Sequence, residues 1–247
     1  MVACYRDYLF TILQSMEDRR GFMASLHPAQ TKILRELLFT PKARFSRLNT
    51  AGLTTDHFSF HLKRLVSEGL IEKTEGRYRL TLTGKEFAGR LDTETATLEK
   101  QAKIDVLVGA IKDNKFLVQQ RLKEPYYGFH GFITGKIRRG ETVFEAASRE
   151  LLEETCFTAK LILAGVKHKM DYDKEKGLLD DKFFFVIRAE NPKGKLKEKF
   201  EGGRNFWAAE KEIASLSPLF DGMKETIKIL KSKNLVFLER KYTVSGF

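Results

Sequence analysis

Cysteine is almost absent from this chain: only Cys4 and Cys156 occur among 247 residues, at a separation that fits neither a metal-binding nor a redox motif. Two widely separated cysteines suit a reducing compartment, so a cytoplasmic location is expected. No stretch reaches ~18 apolar residues, which excludes a helical membrane span, and no membrane partner is expected. Nothing resembles an export signal either, because Arg6, Asp7, Glu17 and Asp18 interrupt the apolar N-terminus. Tyr5 to Met16 can instead form an amphipathic helix packed on its own domain or on a second subunit. Internal repeats and low-complexity tracts are missing too.

Acidic charge is the minority sign. Residues 1–100 carry 16 basic and 12 acidic groups, the remainder 28 and 21, for a net charge of +11. Polyanions are the expected partners, and phosphate-bearing small molecules and double-stranded DNA both satisfy that. A length of 247 residues is enough for two cores.

The most specific segment is GKIRRGETVFEAASRELLEETCF, from Gly135 to Phe157. Thr142 followed by Glu145 is a capping-box pattern, so a helix should start near Val143, and Val143, Ala147 and Leu151 then form a buried stripe. Glu150, Glu153 and Glu154 stand at i, i+3 and i+4. At about 100° per residue they share one face, where like charges destabilise a bare helix by a few tenths of a kcal/mol per pair. A hard cation such as Mg²⁺ or Mn²⁺, which takes oxygen ligands together with substrate phosphates, suits that face. A solvated acidic face is the plainer alternative.

Gly135, five residues, Glu141, seven residues, then Arg149, Glu150, Leu151, any residue, Glu153 and Glu154 resembles the signature box of the Nudix hydrolases. At roughly 6% usage per specified residue, chance matches arise about once in a million. The resemblance implies a metal-dependent hydrolysis of a nucleoside diphosphate linked to another group. It implies that Glu150, Glu153, Glu154 and the carbonyl of Gly135 hold the metal, with Glu150 also the base and Arg149 and Glu141 a supporting pair. Family members that recruit a carboxylate from outside the box point to Glu201, ahead of Glu198. Two positions depart from the pattern: Cys156 stands where glycine is usual, and Thr134, Gly135 and Lys136 replace the common Pro-Gly-Gly lead-in.

Around the box, Lys103 to Ile111 and Lys115 to Arg121 read as a hairpin about Asp113 and Asn114. Leu161 to Lys167, Lys182 to Arg188 and a short run from Phe206 read as strands, with a helix over Gly222 to Lys231 and a last strand over Leu235 to Val244. The expected domain, residues 103–247, is α+β with a mixed sheet between helices, as the Nudix resemblance implies. Tyr127, Phe129 and His130, beside Tyr126, precede the box and are candidates to stack on a nucleobase; filling the core is the alternative.

The N-terminal third reads differently. After residues 1–27, Pro28 to Phe39 has helical spacing, Phe45 and Leu48 suggest a short helix, and a third runs from Thr54 to Glu68 with Phe58, Leu62, Leu65 and Val66 as its apolar stripe. Leu70 to Lys73 and Tyr78 to Leu82 flank the turn-like Glu75 and Gly76. The runs FSFHLKRLVSEGLIEK and YRLTLTGKEF resemble a winged helix-turn-helix, mainly α with a β wing, over residues 28–91. The resemblance implies a third helix in the DNA major groove, with Thr55, His57, Ser59, Lys63 and Arg64 toward DNA and Arg77 and Arg79 in the wing near phosphates. His57 and His61 are read as solvent-facing or base-contacting. Residues 92–102 form the expected linker, which can be helical because it contains no Gly or Pro.

Three functional readings follow: a hydrolase coupled to transcription through DNA binding, a regulator that only senses an ADP-ribose-like nucleotide, and a hydrolase whose winged domain holds a homodimer. Nudix-related regulators of NAD metabolism supply the precedent for the combination, with the two domains in the reverse order.

Overall fold

A computed structural model describes residues 26–50 and 52–244; Cys4 and the Tyr5 to Met16 segment lie outside them. The chain divides into two compact units, residues 1–100 and 101–247.

In the first unit, α1 (Pro28–Phe39) begins at His27, whose Nδ1 accepts from the Ala29 amide while its own amide donates to the Gln30 side chain. There follow β1 (Ala43–Arg44), α2 (Phe45–Leu48), α3 (Thr55–Ser67), β2 (Ile71–Thr74), β3 (Arg77–Leu80) and α4 (Leu82–Ala88). The strands pair antiparallel in the order β1-β3-β2. Glu75 and Gly76 link β2 to β3 with φ of 53° and 74°, the left-handed pair that matches a tight turn to strand twist. Ile33, Leu34, Leu37, Phe58, Leu65 and Phe87 centre one apolar core.

Two features differ from the sequence reading. Val66 is 40% exposed, whereas His61 is only 4% exposed. The buried stripe of α3 is Phe58, His61, Leu62 and Leu65, which is i, i+3, i+4 and i+7, and His61 completes it better than Val66 does. The reading of His61 as solvent-facing or base-contacting is therefore corrected; its ring stacks on His27 at 4.4 Å. Nor are residues 92–102 helical. Asp92 Oδ1 accepts from the amides of Glu94 and Thr95, and Leu91 bridges Leu98, so a local turn outcompetes the helix.

The second unit is α+β, with a mixed nine-stranded sheet. Its strands are β4 (Lys103–Lys112), β5 (Lys115–Arg121), β6 (His130–Gly131), β7 (Ile133–Lys136), β8 (Thr158–Asp173), β9 (Gly177–Lys193), β10 (Lys199–Phe200), β11 (Gly203–Ala209) and β12 (Val236–Thr243). The main order is β10-β11-β5-β4-β9-β8-β12, with β4/β9 and β8/β12 parallel. Strands β4 and β5 pair only at Ile111↔Phe116 and Lys112↔Lys115. Beyond that turn β4 pairs with β7 and β5 with β6, so the sheet opens into a cleft.

One helix covers each face. Helix α5 (Val143–Thr155) packs Ala146, Ala147 and Leu151 on Val106, Val108, Ile133 and Ile187. After the short α6 (Glu210–Ile213), α7 (Met223–Lys231) packs Met223, Ile227 and Leu230 on Leu107, Phe184 and Val186. The alternation Val106, Leu107, Val108 between these cores is the two-residue period of a strand buried on both sides. Strands β8 and β9 extend well past the expected Leu161 to Lys167 and Lys182 to Arg188. Their ends carry Lys169, Asp171, Asp180 and Lys182, which pair among themselves and mask the apolar alternation.

Helix α5 is held at both ends by local chemistry. Thr142 and Glu145 form the reciprocal capping box, and Cys156 closes the helix at φ 60° and ψ 24°, with its amide on the Leu152 carbonyl. This left-handed conformation costs a non-glycine residue up to about 1 kcal/mol. Since the side chain of Cys156 is exposed, Cys156→Gly should leave stability unchanged or raise it by up to about that amount. Thermal and urea unfolding will show this; a clear fall in melting temperature contradicts it.

Candidate active site

The box residues meet around one guanidinium. Arg149 Nε and Nη2 donate to the two oxygens of Glu141 at 2.6 and 2.9 Å. Its Nη1 donates to Glu150 Oε1 at 2.5 Å and reaches Glu153 Oε2 at 3.5 Å, while Nη2 also donates to the Lys136 carbonyl at 3.1 Å. The Arg149 hydrogen bonds, with one from the Arg138 amide, pull the Glu141 carboxyl down to about 2. The same bonds hold Arg149 more firmly protonated. Glu141 lies in the loop before α5 and Arg149 one and a half turns inside it, so the pair ties helix to loop and to β7.

Gly135 supplies the clearance for this. A Cβ at that position would lie 1.9 Å from the Glu150 carboxyl carbon, so only glycine lets Glu150 rest on β7. Glu154, at the far end of the flank, accepts from Gln119 Nε2 at 2.7 Å, and its carbonyl accepts from Asn205 Nδ2 at 2.8 Å. Burial raises the Glu154 pKa, against the Gln119 bond, and the charge of Glu150 raises it further.

The three carboxylates share one flank but do not converge. Glu150 and Glu153 turn to Arg149, Glu154 turns to Gln119, and among the described residues no group of three acidic, histidine or cysteine side chains is gathered as a metal cluster. Each carboxylate finds the nearest cation or amide, as like charges on one helix face must. The donor set is still all oxygen, and the Gly135 cradle holds one member against the strand, which fits a hard divalent cation.

A cavity of about 330 Å³ lies in the cleft on the α7 side of the sheet, with Asp105, Gln119, Arg121, Tyr126, Phe132 and Lys167 among its walls. Gln119 both lines it and bonds Glu154, which joins cavity to carboxylates. Burial and the neighbouring Lys169 lower the Lys167 ammonium to about 8.

Of the other candidates from sequence, Tyr127, Phe129 and His130 are not among the residues that line this cavity. Tyr126 adopts φ 69°, and the reversal sends Tyr126 inward and leaves Tyr127 61% exposed. Phe129 packs against Tyr126 and Phe220, and buried His130 meets the Pro218 carbonyl through Nδ1 at 2.9 Å. Glu201 is exposed in the β10–β11 turn. In the first unit, Thr55, His57, Lys63, Arg64, Arg77 and Arg79 are exposed, Ser59 is half-buried, and Arg79 pairs with Glu72 at 2.7 Å. Sequence reasoning missed Gln119, Asn205 and Asp105; the one available signal was a charge inside the apolar run from Ile104 to Ile111.

Residues 102–229 match the family model of the NUDIX domain, just over half of the chain. The chain belongs to the NUDIX family. Its structure is similar to that of the mMutator MutT protein from Bacillus halodurans, at 25% identity over 57% of this chain and 90% of that one, with a TM-score of 0.50. A MutT NUDIX hydrolase from Burkholderia pseudomallei is 19% identical over 53% of this chain and all of its own, with a TM-score of 0.46. The NUDIX domain of Shewanella oneidensis NrtR, solved with ADP ribose, is 16% identical over 61% of this chain and 96% of its own, with a TM-score of 0.46. No curated protein matches the chain.

In this NUDIX unit the contact between Gly135 and Glu150 makes a quantitative test possible. Gly135→Ala should cost about 1–3 kcal/mol by overpacking. Glu150→Ala removes the obstacle, so the double variant should be less destabilised than the sum of the singles, with a coupling of about 1 kcal/mol. Urea unfolding of the four proteins measures it; strict additivity would contradict the cradle.

Proposed function

We propose that the NUDIX unit is a pyrophosphohydrolase that cleaves a nucleoside diphosphate linked to another group, with Mg²⁺ or Mn²⁺ as cofactor. Glu150, Glu153, Glu154 and the Gly135 carbonyl are the residues to hold the metal, and exposed Glu201 is a further carboxylate for it. Bound metal neutralises charge on phosphoryl oxygens and acidifies water. Glu150 takes the proton of the attacking water, whose oxygen bonds to phosphorus as the bridging P–O bond breaks and the second phosphate-bearing product leaves. Arg149 and Glu141 position Glu150 rather than touch substrate. The observation that carries this reading is the tie of Arg149 to Glu141, Glu150 and the β7 carbonyl, which sets an all-oxygen flank beside a cavity shared through Gln119.

The first unit is read as a winged helix-turn-helix that binds double-stranded DNA and couples nucleotide turnover to transcription. The order of three helices followed by the β2–β3 hairpin supports this, with α3 as recognition helix and Arg77 and Arg79 in the wing. A second reading is favoured by Phe60, which is 56% exposed on α3: an aromatic group at that position suits a protein contact, and the unit then serves assembly.

Glu153→Gln and Glu154→Gln should each lower Mg²⁺-dependent hydrolysis by at least about 100-fold with the fold intact, since losses at supporting positions alone reach 10- to 100-fold. Near-normal turnover in both removes the metal assignment. For the first unit, alanine at Lys63, Arg64, Arg77 and Arg79 together should weaken duplex binding and flatten its dependence on log salt by close to one unit per lost phosphate contact. An unmodified chain with no salt-sensitive duplex binding, running as a dimer that is lost when residues 1–95 are removed, would favour the assembly role instead.

A further inference from the structure

The cavity on the α7 side of the sheet has Asp105, Asp171, Asp180 and Asp221 in its wall. Two of its buried carboxylates are fully engaged. Asp171 accepts from the Tyr126 hydroxyl at 3.2 Å and pairs with Lys169. Asp180 takes Lys103 at 2.8 Å on one oxygen and Lys182 at 2.7 Å on the other. Asp105 differs: it is 6% exposed, and its Oδ1 has no hydrogen-bond partner among the described residues. Burial raises its pKa, with Lys182 and Lys136 opposing. An unmade bond at a buried acceptor is costly, and such groups in native structures call for a functional cause.

The surroundings narrow what completes that bond. Along β4, Asp105 is in register with Phe184 of β9 and Lys136 of β7, and Val106 beside it is in register with Gly135. The rest of the cavity wall includes Leu107, Phe132, Phe220 and Met223. Lys103, Arg121, Lys136, Lys167, Lys169 and Lys182 in the same wall suit the phosphates of a nucleotide. Its flat heteroaromatic base meets the apolar part of the wall with its faces and needs one acceptor at its edge.

We propose that Asp105 determines specificity in this cavity, its carboxylate accepting a hydrogen bond from an amino or imino N–H of the substrate's nucleobase. The assignment rests on the nucleotide reading of the NUDIX unit and deepens it. Asp105 acts on ground-state binding and takes no part in the proton transfer.

The test is equilibrium binding of AMP, GMP, CMP, UMP and ribose 5-phosphate to the full chain in EDTA, for the unmodified protein, Asp105→Ala and Asp105→Asn. The unmodified protein should bind at least one nucleoside monophosphate more tightly than ribose 5-phosphate. Asp105→Ala should weaken that ligand by about tenfold or more, the loss of one charge-assisted hydrogen bond, and leave ribose 5-phosphate unchanged. Asp105→Asn, which keeps an acceptor, should retain part of the affinity and melt no lower than the unmodified chain, because no internal bond is lost. Equal affinity for base-bearing and base-free ligands, or an equal loss for all of them, overturns the proposal, as does a lower melting temperature of Asp105→Asn with unchanged binding. Because affinities are read without metal, a failure to hydrolyse any nucleotide would sink the hydrolase reading and leave this comparison intact.

Discussion

The bidentate contact of Arg149 with Glu141 is the constraint from which the rest of the NUDIX unit is built. Helix α5 has an apolar stripe that only requires it to lie on the sheet, and a stripe of Ala146, Ala147 and Leu151 tolerates sliding. The guanidinium removes that freedom by binding the preceding loop through Glu141, the strand through the Lys136 carbonyl and the helix through Glu150. Both side chains of the Arg149–Glu141 pair are mostly buried, at 15% and 14% exposure, so removing either leaves a poorly solvated charge. Gly135 is the steric counterpart, since the position of Glu150 is available only where the strand has no Cβ.

Local chemistry was legible in the sequence wherever one element decides it. The Thr142 and Glu145 pair marked the start of α5, Asp113 and Asn114 turned β4 into β5, and Glu75 and Gly76 turned β2 into β3. Cys156 in the glycine position did take the left-handed conformation. What escaped depends on partners distant in the chain. The cleft exists because β4 and β5 separate after two residue pairs and are completed by β7 and β6, strands of four and two residues that carry too little pattern to read. The same distance hides Gln119 and Asn205, which matter only because they reach Glu154.

Polar residues buried by tertiary contacts misled the reading in a consistent way. His61 looked like a surface group until His27 stacked on it, and the aromatic run after Pro125 concealed which ring faces inward until the backbone reversal at Tyr126 settled the matter. Asp105 sits in an apolar strand where periodicity alone treats it as an interruption, yet it is the cavity carboxylate with an oxygen left over.

The proposed activity is metal-dependent phosphoanhydride cleavage at the α5 carboxylates, with the cavity reached through Gln119 as the substrate site. The most direct measurement is a hydrolysis screen of the full chain across nucleoside triphosphates, nucleotide sugars, dinucleoside polyphosphates and ADP-ribose, each with Mg²⁺, with Mn²⁺ and with EDTA. At least one class should be cleaved at a phosphoanhydride into two phosphate-bearing products, with cleavage abolished by EDTA. No turnover of any class with either metal would contradict the account.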